Sequence, residues 1–265
     1  MGLIDGSTQI MGVIGDPITQ IRTPQAINPI FAQQGANILC LPMHIRAETL
    51  DSAIAGLRAQ NNVIGFGVTL PHKQTIMALC DSLDPAALDV GAVNVVRREV
   101  DGSYRGYQFD GQGFLRGLVA AGHDPAGRAC LMIGAGGAAR AIVRALLDAG
   151  AAQVRISNRS VQKAVALAEA TGDARVSAAP ARPASGDLVI NATSLGMSEA
   201  DPLPLDPDLI DASMTVAEVV AKPEVTRLLS KAQTSGAAIH SGLHMIHHQV
   251  DLIARHMLAI YGPKT

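Results

Sequence analysis

Cysteine, charge of one sign and long apolar runs are all scarce in this chain of 265 residues. Cys40, Cys80 and Cys130 stand far apart with no close pair, which excludes a disulfide framework and a thiolate metal site and fits a reducing compartment. With 21 basic and 23 acidic residues and a formal net charge of -2, the chain has no basic face to release counterions from a nucleic acid. Nucleic acid is therefore not an expected partner. Arg, Asp or Gly interrupts every apolar stretch before membrane-spanning length, and the opening Met1-Gly2-Leu3-Ile4-Asp5-Gly6 lacks the basic segment and apolar core of an export signal. A cytoplasmic protein with no membrane partner is expected.

What is present is apolar material in a repeating order. Hydrophobic residues make up 48% and charged residues 17% of the sequence, enough for well-buried cores. The length exceeds what one core usually supports, so two domains are expected. An apolar run over 10–15 ends at Gly15-Asp16-Pro17, and Pro24 opens an amphipathic stretch to 35, which reads as strand, loop and helix. The pattern repeats, with strands at 38–42 and 65–70 and helices at 47–59 and 72–81, the alternation of a mostly parallel α/β sheet. Strands at 92–97 and 104–109 flank the Asp101-Gly102 turn. A helix at 111–121 leads to His123-Asp124-Pro125-Ala126-Gly127, where a second βαβ unit begins. Its strand at 129–133, helix at 137–149 and strand at 154–157 precede another strand at 188–191 and helical periodicity over 245–260.

Gly134-Ala135-Gly136-Gly137-Ala138 follows an expected strand and opens an expected helix, where a glycine turn lets backbone amides approach a pyrophosphate. At the end of the next strand stand Asn158, Arg159 and Ser160, with Lys163 one turn on. An NAD site usually carries an acid there for the ribose 2′-hydroxyl. Here two cations offer donors to a 2′-phosphate instead. NADP is the expected cofactor and NAD the second choice. Asn191-Ala192-Thr193-Ser194 ends a later strand and is placed to line the same crevice, through Thr193 and Ser194.

Two ionisable residues invite ordinary readings when taken alone. Lys73, in Val68-Thr69-Leu70-Pro71-His72-Lys73, reads as a solvated lysine, although a first-turn position in a helix started by Pro71 would disfavour its ammonium and suit it to proton transfer. Asp110, ahead of Gly111 and a helix, reads as an N-cap.

Their order along the chain changes that reading, because nearly the whole sequence resembles the shikimate dehydrogenase family. The resemblance rests on Gly15-Asp16-Pro17-Ile18 through Pro24, Gly65 through Lys73, Gly91-Ala92-Val93-Asn94, Asp110-Gly111, the glycine loop, Asn158-Arg159-Ser160, Asn191-Ala192-Thr193-Ser194, and Gly242-Leu243-His244-Met245 with Gln249. It implies an α/β protein of two domains. Residues 1–110 would form a substrate-binding domain, joined by a C-terminal helix at 243–265, and residues 111–242 a Rossmann-type dinucleotide-binding domain. It also implies that Lys73 and Asp110 are the catalytic pair, that Thr69, Asn94 and Gln249 hold the substrate, and that Gly242 and Met245 lie at the cofactor. The implied substrate is a small cyclic hydroxy acid, the implied assembly a monomer or homodimer.

Five positions differ from the family pattern, and at four of them a polar side chain is lost. Ile21 and Thr23 replace two serines that bind the substrate carboxylate in the family, and the missing donor at Ile21 should cost about 1–3 kcal/mol in binding. Gly67, Phe109 and Ala221 replace an asparagine, a threonine and a tyrosine. Together they imply a more apolar pocket of altered shape and a different or relaxed substrate, with shikimate, quinate, an aminated shikimate or another cyclic hydroxy acid as the options.

His240, His244, His247 and His248 crowd one stretch. Some of them share a helix face as metal ligands would, but no carboxylate follows at metalloprotease spacing, and they read as pocket or interface residues with no metal. A competing reading is a nucleotide sensor that has lost catalysis. Retention of both Lys73 and Asp110 argues against it.

Overall fold

The computed structural model describes residues 4–19 and 21–263. The chain divides into two compact units, one running to Phe109 and resuming at Gln249, the other spanning Asp110–His248. Among the described residues no helix is long and apolar enough to cross a membrane.

The first unit contains β1 (Gln9–Gly15), α1 (Thr23–Gln33), β2 (Ile38–His44), α2 (Leu50–Arg58), β3 (Val63–Val68), β4 (Ser82–Leu83), α3 (Pro85–Val90), β5 (Val95–Arg98) and β6 (Tyr104–Tyr107). They form a six-stranded sheet in the order β2-β1-β3-β5-β6-β4. The β1, β2 and β3 strands run parallel, while β5 is antiparallel to both β3 and β6. Every residue of β3 is buried, as an apolar strand covered on both faces must be. Ile14, Phe66, Ile76, Val96 and Tyr104 fill the core on one face, each fully buried aliphatic or aromatic side chain contributing about 1.5–3 kcal/mol.

The second unit contains α4 (Asp110–Ala120), β7 (Ala129–Ile133), α5 (Gly137–Asp148), β8 (Gln153–Ser157), α6 (Val161–Thr171), β9 (Val176–Ala178), β10 (Leu188–Asn191), β11 (Thr215–Glu218), α7 (Arg227–Thr234) and β12 (Ala238–His240). A last helix, α8 (Gly242–Tyr261), begins in this unit and continues into the residues of the first. The sheet is parallel throughout, in the order β12-β11-β10-β7-β8-β9. The chain moves outward from β7 to β9 and then returns to β7's other side at β10. That reversal is the switch point at which open α/β sheets bind ligands beyond their strand ends.

One expected element is absent. Residues 71–74 form turns and 75–79 a short 3-10 helix where a continuous helix over 72–81 was expected. Long-range partners hold the segment instead: the Lys73 carbonyl takes the Val93 amide at 2.8 Å, a partner outside its own turn. The buried His72 ring is likewise tied to the Ile45 carbonyl at 2.7 Å. Lys73 is therefore held by a turn anchored to two neighbouring segments, and the helix-end argument for its chemistry does not apply.

Candidate active site

Register brings the ends of the second unit's central strands level. Ile133 pairs with Ser157 on one side and Asn191 on the other, and Asn191 pairs with Glu218. Gly134 follows Ile133 with φ +118, and a Cβ there would lie 3.0 Å from the Ala192 carbonyl oxygen, so both backbone and space demand glycine. Gly136 is the N-cap of α5 and supplies no side-chain cap. A Cβ on Gly136 would meet nothing within 4 Å. The amides of Gly137, Ala138 and the residue after them thus open the helix without a side-chain acceptor, beside the half-buried Ala135.

At the end of β8 the half-buried Asn158 donates to the Ser160 carbonyl at 3.0 Å, which closes the turn into α6. Ser160 donates to Gln162, and Arg159 and Lys163 extend into solvent. An anionic ligand thus meets two solvated cations and bare helix amides, a donor set that suits a dinucleotide carrying an extra phosphate. Gly242 enters α8 where a Cβ would stand 2.5 Å from the Val220 carbonyl oxygen, and Met245, one turn on, is buried. The half-buried Ala221 follows that carbonyl.

Beyond β10, Thr193 is held by its own strand end. Its hydroxyl donates to Asn191 Oδ1 at 2.6 Å and accepts from the Leu195 amide at 3.1 Å. Exposed Ser194 follows it. The Asn191 amide donates to Glu218 Oε1 at 2.8 Å, and Glu218, fully buried, also accepts from Thr226 Oγ1 at 2.6 Å. Burial pushes the Glu218 carboxyl above its usual range. The sequence pointed to Asn191 but not to Glu218, whose only signal was a lone acid inside the largely apolar run 214–220.

In the first unit, a Cβ on Gly15 would lie 2.5 Å from Thr69 Cγ2 and 3.6 Å from Ile21 Cδ1. The bare glycine at the end of β1 thus lets Thr69 and Ile21 close around it. Thr69 itself is hydrogen-bonded through its amide to Ile14 and through its carbonyl to His72. Thr23 opens α1. Asn94 is buried, and its Oδ1 accepts from the Phe109 amide at 2.9 Å, so it braces the segment that leads to Asp110. Gly67 lies in buried β3. Phe109 packs with Tyr107 and His256 at ring-centroid distances of 6.2 and 5.2 Å, which gives the departure at this position an aromatic setting. His44, which sequence reasoning did not single out, stands within hydrogen-bond distance of Asp16, 2.7 Å between Nε2 and Oδ1, beyond the ends of β1 and β2.

Asp110 is the first residue of α4, buried at the positive end of that helix. Gly111 permits the close packing that holds it, since a Cβ there would lie 2.2 Å from the Ala141 carbonyl oxygen of α5. Lys73 belongs to the first unit, Asp110 to the second, and Gln249 is the residue at which α8 passes into the first.

The histidines separate. His240 ends β12, 1% exposed, stacked on His244 at 4.5 Å and edge-on to Phe114 and His123. Neither ring nitrogen of His240 has a hydrogen-bond partner, and burial, reinforced by the neighbouring histidines, holds it down to about 4. His247 is exposed and His248 half-buried. Among the described residues no group of three or more His, Cys, Asp or Glu is arranged to hold a metal ion.

The family model for the shikimate dehydrogenase substrate binding domain matches residues 13–96, and that described as shikimate / quinate 5-dehydrogenase matches 120–197. The shikimate dehydrogenase (NADP(+)) of Rubrobacter xylanophilus is 42% identical over 93% of this chain and 89% of its own. Among solved structures, shikimate dehydrogenase from Aquifex aeolicus superposes with a TM-score of 0.89 at 32% identity, covering 98% of this chain and 96% of its own. The 5-ketofructose reductase of Gluconobacter sp. strain CHM43 gives a TM-score of 0.85 at 29% identity, covering 97% and 95%. Identity of this extent, carried through both units, means that the chain belongs to the shikimate dehydrogenase family.

Proposed function

We propose that this protein catalyses the reversible, NADP-linked oxidation of a ring hydroxyl of a small cyclic hydroxy acid of the shikimate or quinate type, with NAD a poorer substitute. The observation that carries this reading is 42% identity to a shikimate dehydrogenase (NADP(+)) over 93% of the chain, joined to a glycine turn and helix end that fit a dinucleotide. It supports an enzyme over a sensor. Gly134, Gly136 and the first amides of α5 would hold the pyrophosphate, Asn158, Arg159, Ser160 and Lys163 the adenosine 2′-phosphate, and Thr193, Ser194, Gly242 and Met245 the nicotinamide half. Bound NADP supplies hydride-transfer chemistry.

The chain's own part is proton management and orientation. Lys73 Nζ takes the hydroxyl proton during oxidation and returns it during reduction, while the Asp110 carboxylate supports the lysine electrostatically. Thr69, Asn94 and Gln249 orient the ring. Ile21 supplies no donor, and Thr23 keeps one hydroxyl, so a carboxylate is held less well than two hydroxyls would hold it. The protein acts in the cytoplasm as a monomer or homodimer.

The test is an initial-rate panel of shikimate, quinate, an aminated shikimate and 5-ketofructose with each nicotinamide cofactor, followed by nicotinamide absorbance. Turnover of a cyclic hydroxy acid with NADP is expected, with shikimate a weak substrate whose KM falls in Ile21→Ser. Folded protein that binds NADPH yet turns over no member of the panel would overturn the reading.

A further inference from the structure

From the geometry beyond β10 and β11 we infer that Glu218 is a positioning residue for the cofactor, setting the loop 192–198 through Asn191 and Thr193. The inference rests on the proposal above that Thr193 and Ser194 line the nicotinamide half of the site.

The chain of contacts runs in one direction. Glu218 presents two carboxylate oxygens and each meets a donor, Oε1 the Asn191 amide at 2.8 Å and Oε2 the Thr226 hydroxyl at 2.6 Å. With both N–H groups of Nδ2 committed, one to Glu218 and one to the Leu195 carbonyl, Asn191 turns its oxygen to Thr193. That oxygen accepts both the amide and the hydroxyl of Thr193. The Thr193 hydroxyl has thereby spent its only proton, and it faces any ligand as an acceptor. A carboxylate thus determines, two hydrogen bonds away, which way a side chain in the crevice points.

The same residue closes the loop from below. Gly196, at φ +106, passes close enough that a Cβ would lie 3.2 Å from Thr226 Cγ2 and 3.9 Å from Glu218 Oε1. Thr226 is the N-cap of α7, accepting from the Leu229 amide, so Glu218 fastens the loop to a helix end. A cheaper way to fill this position exists. Glu218 is fully buried, its neighbours are neutral donors, and burial pushes its carboxyl upward. An apolar residue would avoid that cost, but it would leave the Asn191 amide free to flip and the Thr193 hydroxyl free to rotate.

The experiment measures NADPH affinity by fluorescence titration, with melting temperature on the same samples, for wild type, Glu218→Gln, Glu218→Ala, Thr193→Ala and the Glu218→Ala/Thr193→Ala double variant. Glu218→Gln can still accept from Asn191 and donate to Thr226, so its affinity should stay within about threefold of wild type. Glu218→Ala should weaken NADPH about tenfold. Because the two residues act in series, the double variant should be no more than about twofold weaker than the weaker single. Should Glu218→Ala not fold, Glu218→Asp, which keeps the charge and shortens its reach, replaces it and should weaken NADPH several-fold. A folded Glu218→Ala or Glu218→Asp with wild-type affinity would overturn the inference, as would losses that multiply in the double variant. Wild type that fails to bind NADPH at all would remove the parent reading and the inference together, an outcome distinct from either.

Discussion

Gly134 and Arg159 stand at the ends of neighbouring strands and do opposite work. Gly134 is there for what it lacks, since its φ of +118 and the 3.0 Å approach to Ala192 leave no place for a side chain. Arg159 is there for what it adds, a solvated guanidinium where an NAD site would carry an acid. Arg159→Ala should therefore weaken NADP by about tenfold and leave NAD nearly unmoved. Titration of both cofactors against both proteins checks this, and equal losses would remove Arg159 from the 2′-phosphate. Both residues were legible in the sequence because their neighbours in the chain supply the context, a strand before and a helix after. Glu218 was not. Its partners Asn191 and Thr226 are brought to it by the pairing of β10 with β11 and by the return of α7, and the apolar run around it in the chain hints at burial but names no partner.

At the scale of elements, two close approaches set where the helices of the second unit lie. Gly111 puts the first turn of α4 against the Ala141 carbonyl of α5, and Gly117 does the same for the second half of α4 against the backbone of His244 at the start of α8. Gly111→Ala would place a methyl group 2.2 Å from that carbonyl oxygen. The two helices must separate, and a loss of about 1–3 kcal/mol is expected, read as a lower denaturant midpoint. Because Asp110 is the preceding residue, kcat should fall in the same variant while NADPH affinity changes less. Unchanged stability would show that α4 and α5 can part without strain. Most elements were legible from apolar periodicity and from Gly and Pro at their ends. The helix expected over 72–81 was not formed, because the Lys73 carbonyl bonds to Val93 and the His72 ring to Ile45, partners distant in the chain. The short strands β4, β9 and β12 carry too few residues for a period to show.

For the molecule as a whole, acid is a condition that both units should feel. His240 and His256, one in each unit, are both held near 4, chiefly by burial, from an ordinary value of 6.5. A histidine whose folded value is depressed stabilises the fold while it is neutral, so the benefit is complete above pH 6.5 and is lost as pH falls from there toward 4. Melting temperature should fall across that window, and less steeply in His240→Phe, which keeps the ring against Phe114 and His244 but cannot take a proton. An identical slope in the variant would remove His240 from the acid response. The central proposal, that Lys73 moves the proton and Asp110 supports it, draws on one residue of each unit. The measurement that tests it most directly is single-turnover nicotinamide reduction on the best substrate of the panel, for wild type, Lys73→Ala and Asp110→Asn, with melting temperature and NADPH affinity on the same samples. The account predicts a fall of roughly 10²–10⁴-fold in the rate for Lys73→Ala, a clear but smaller fall for Asp110→Asn, and NADPH affinity unchanged in both. Near-normal hydride transfer in both folded variants would contradict it.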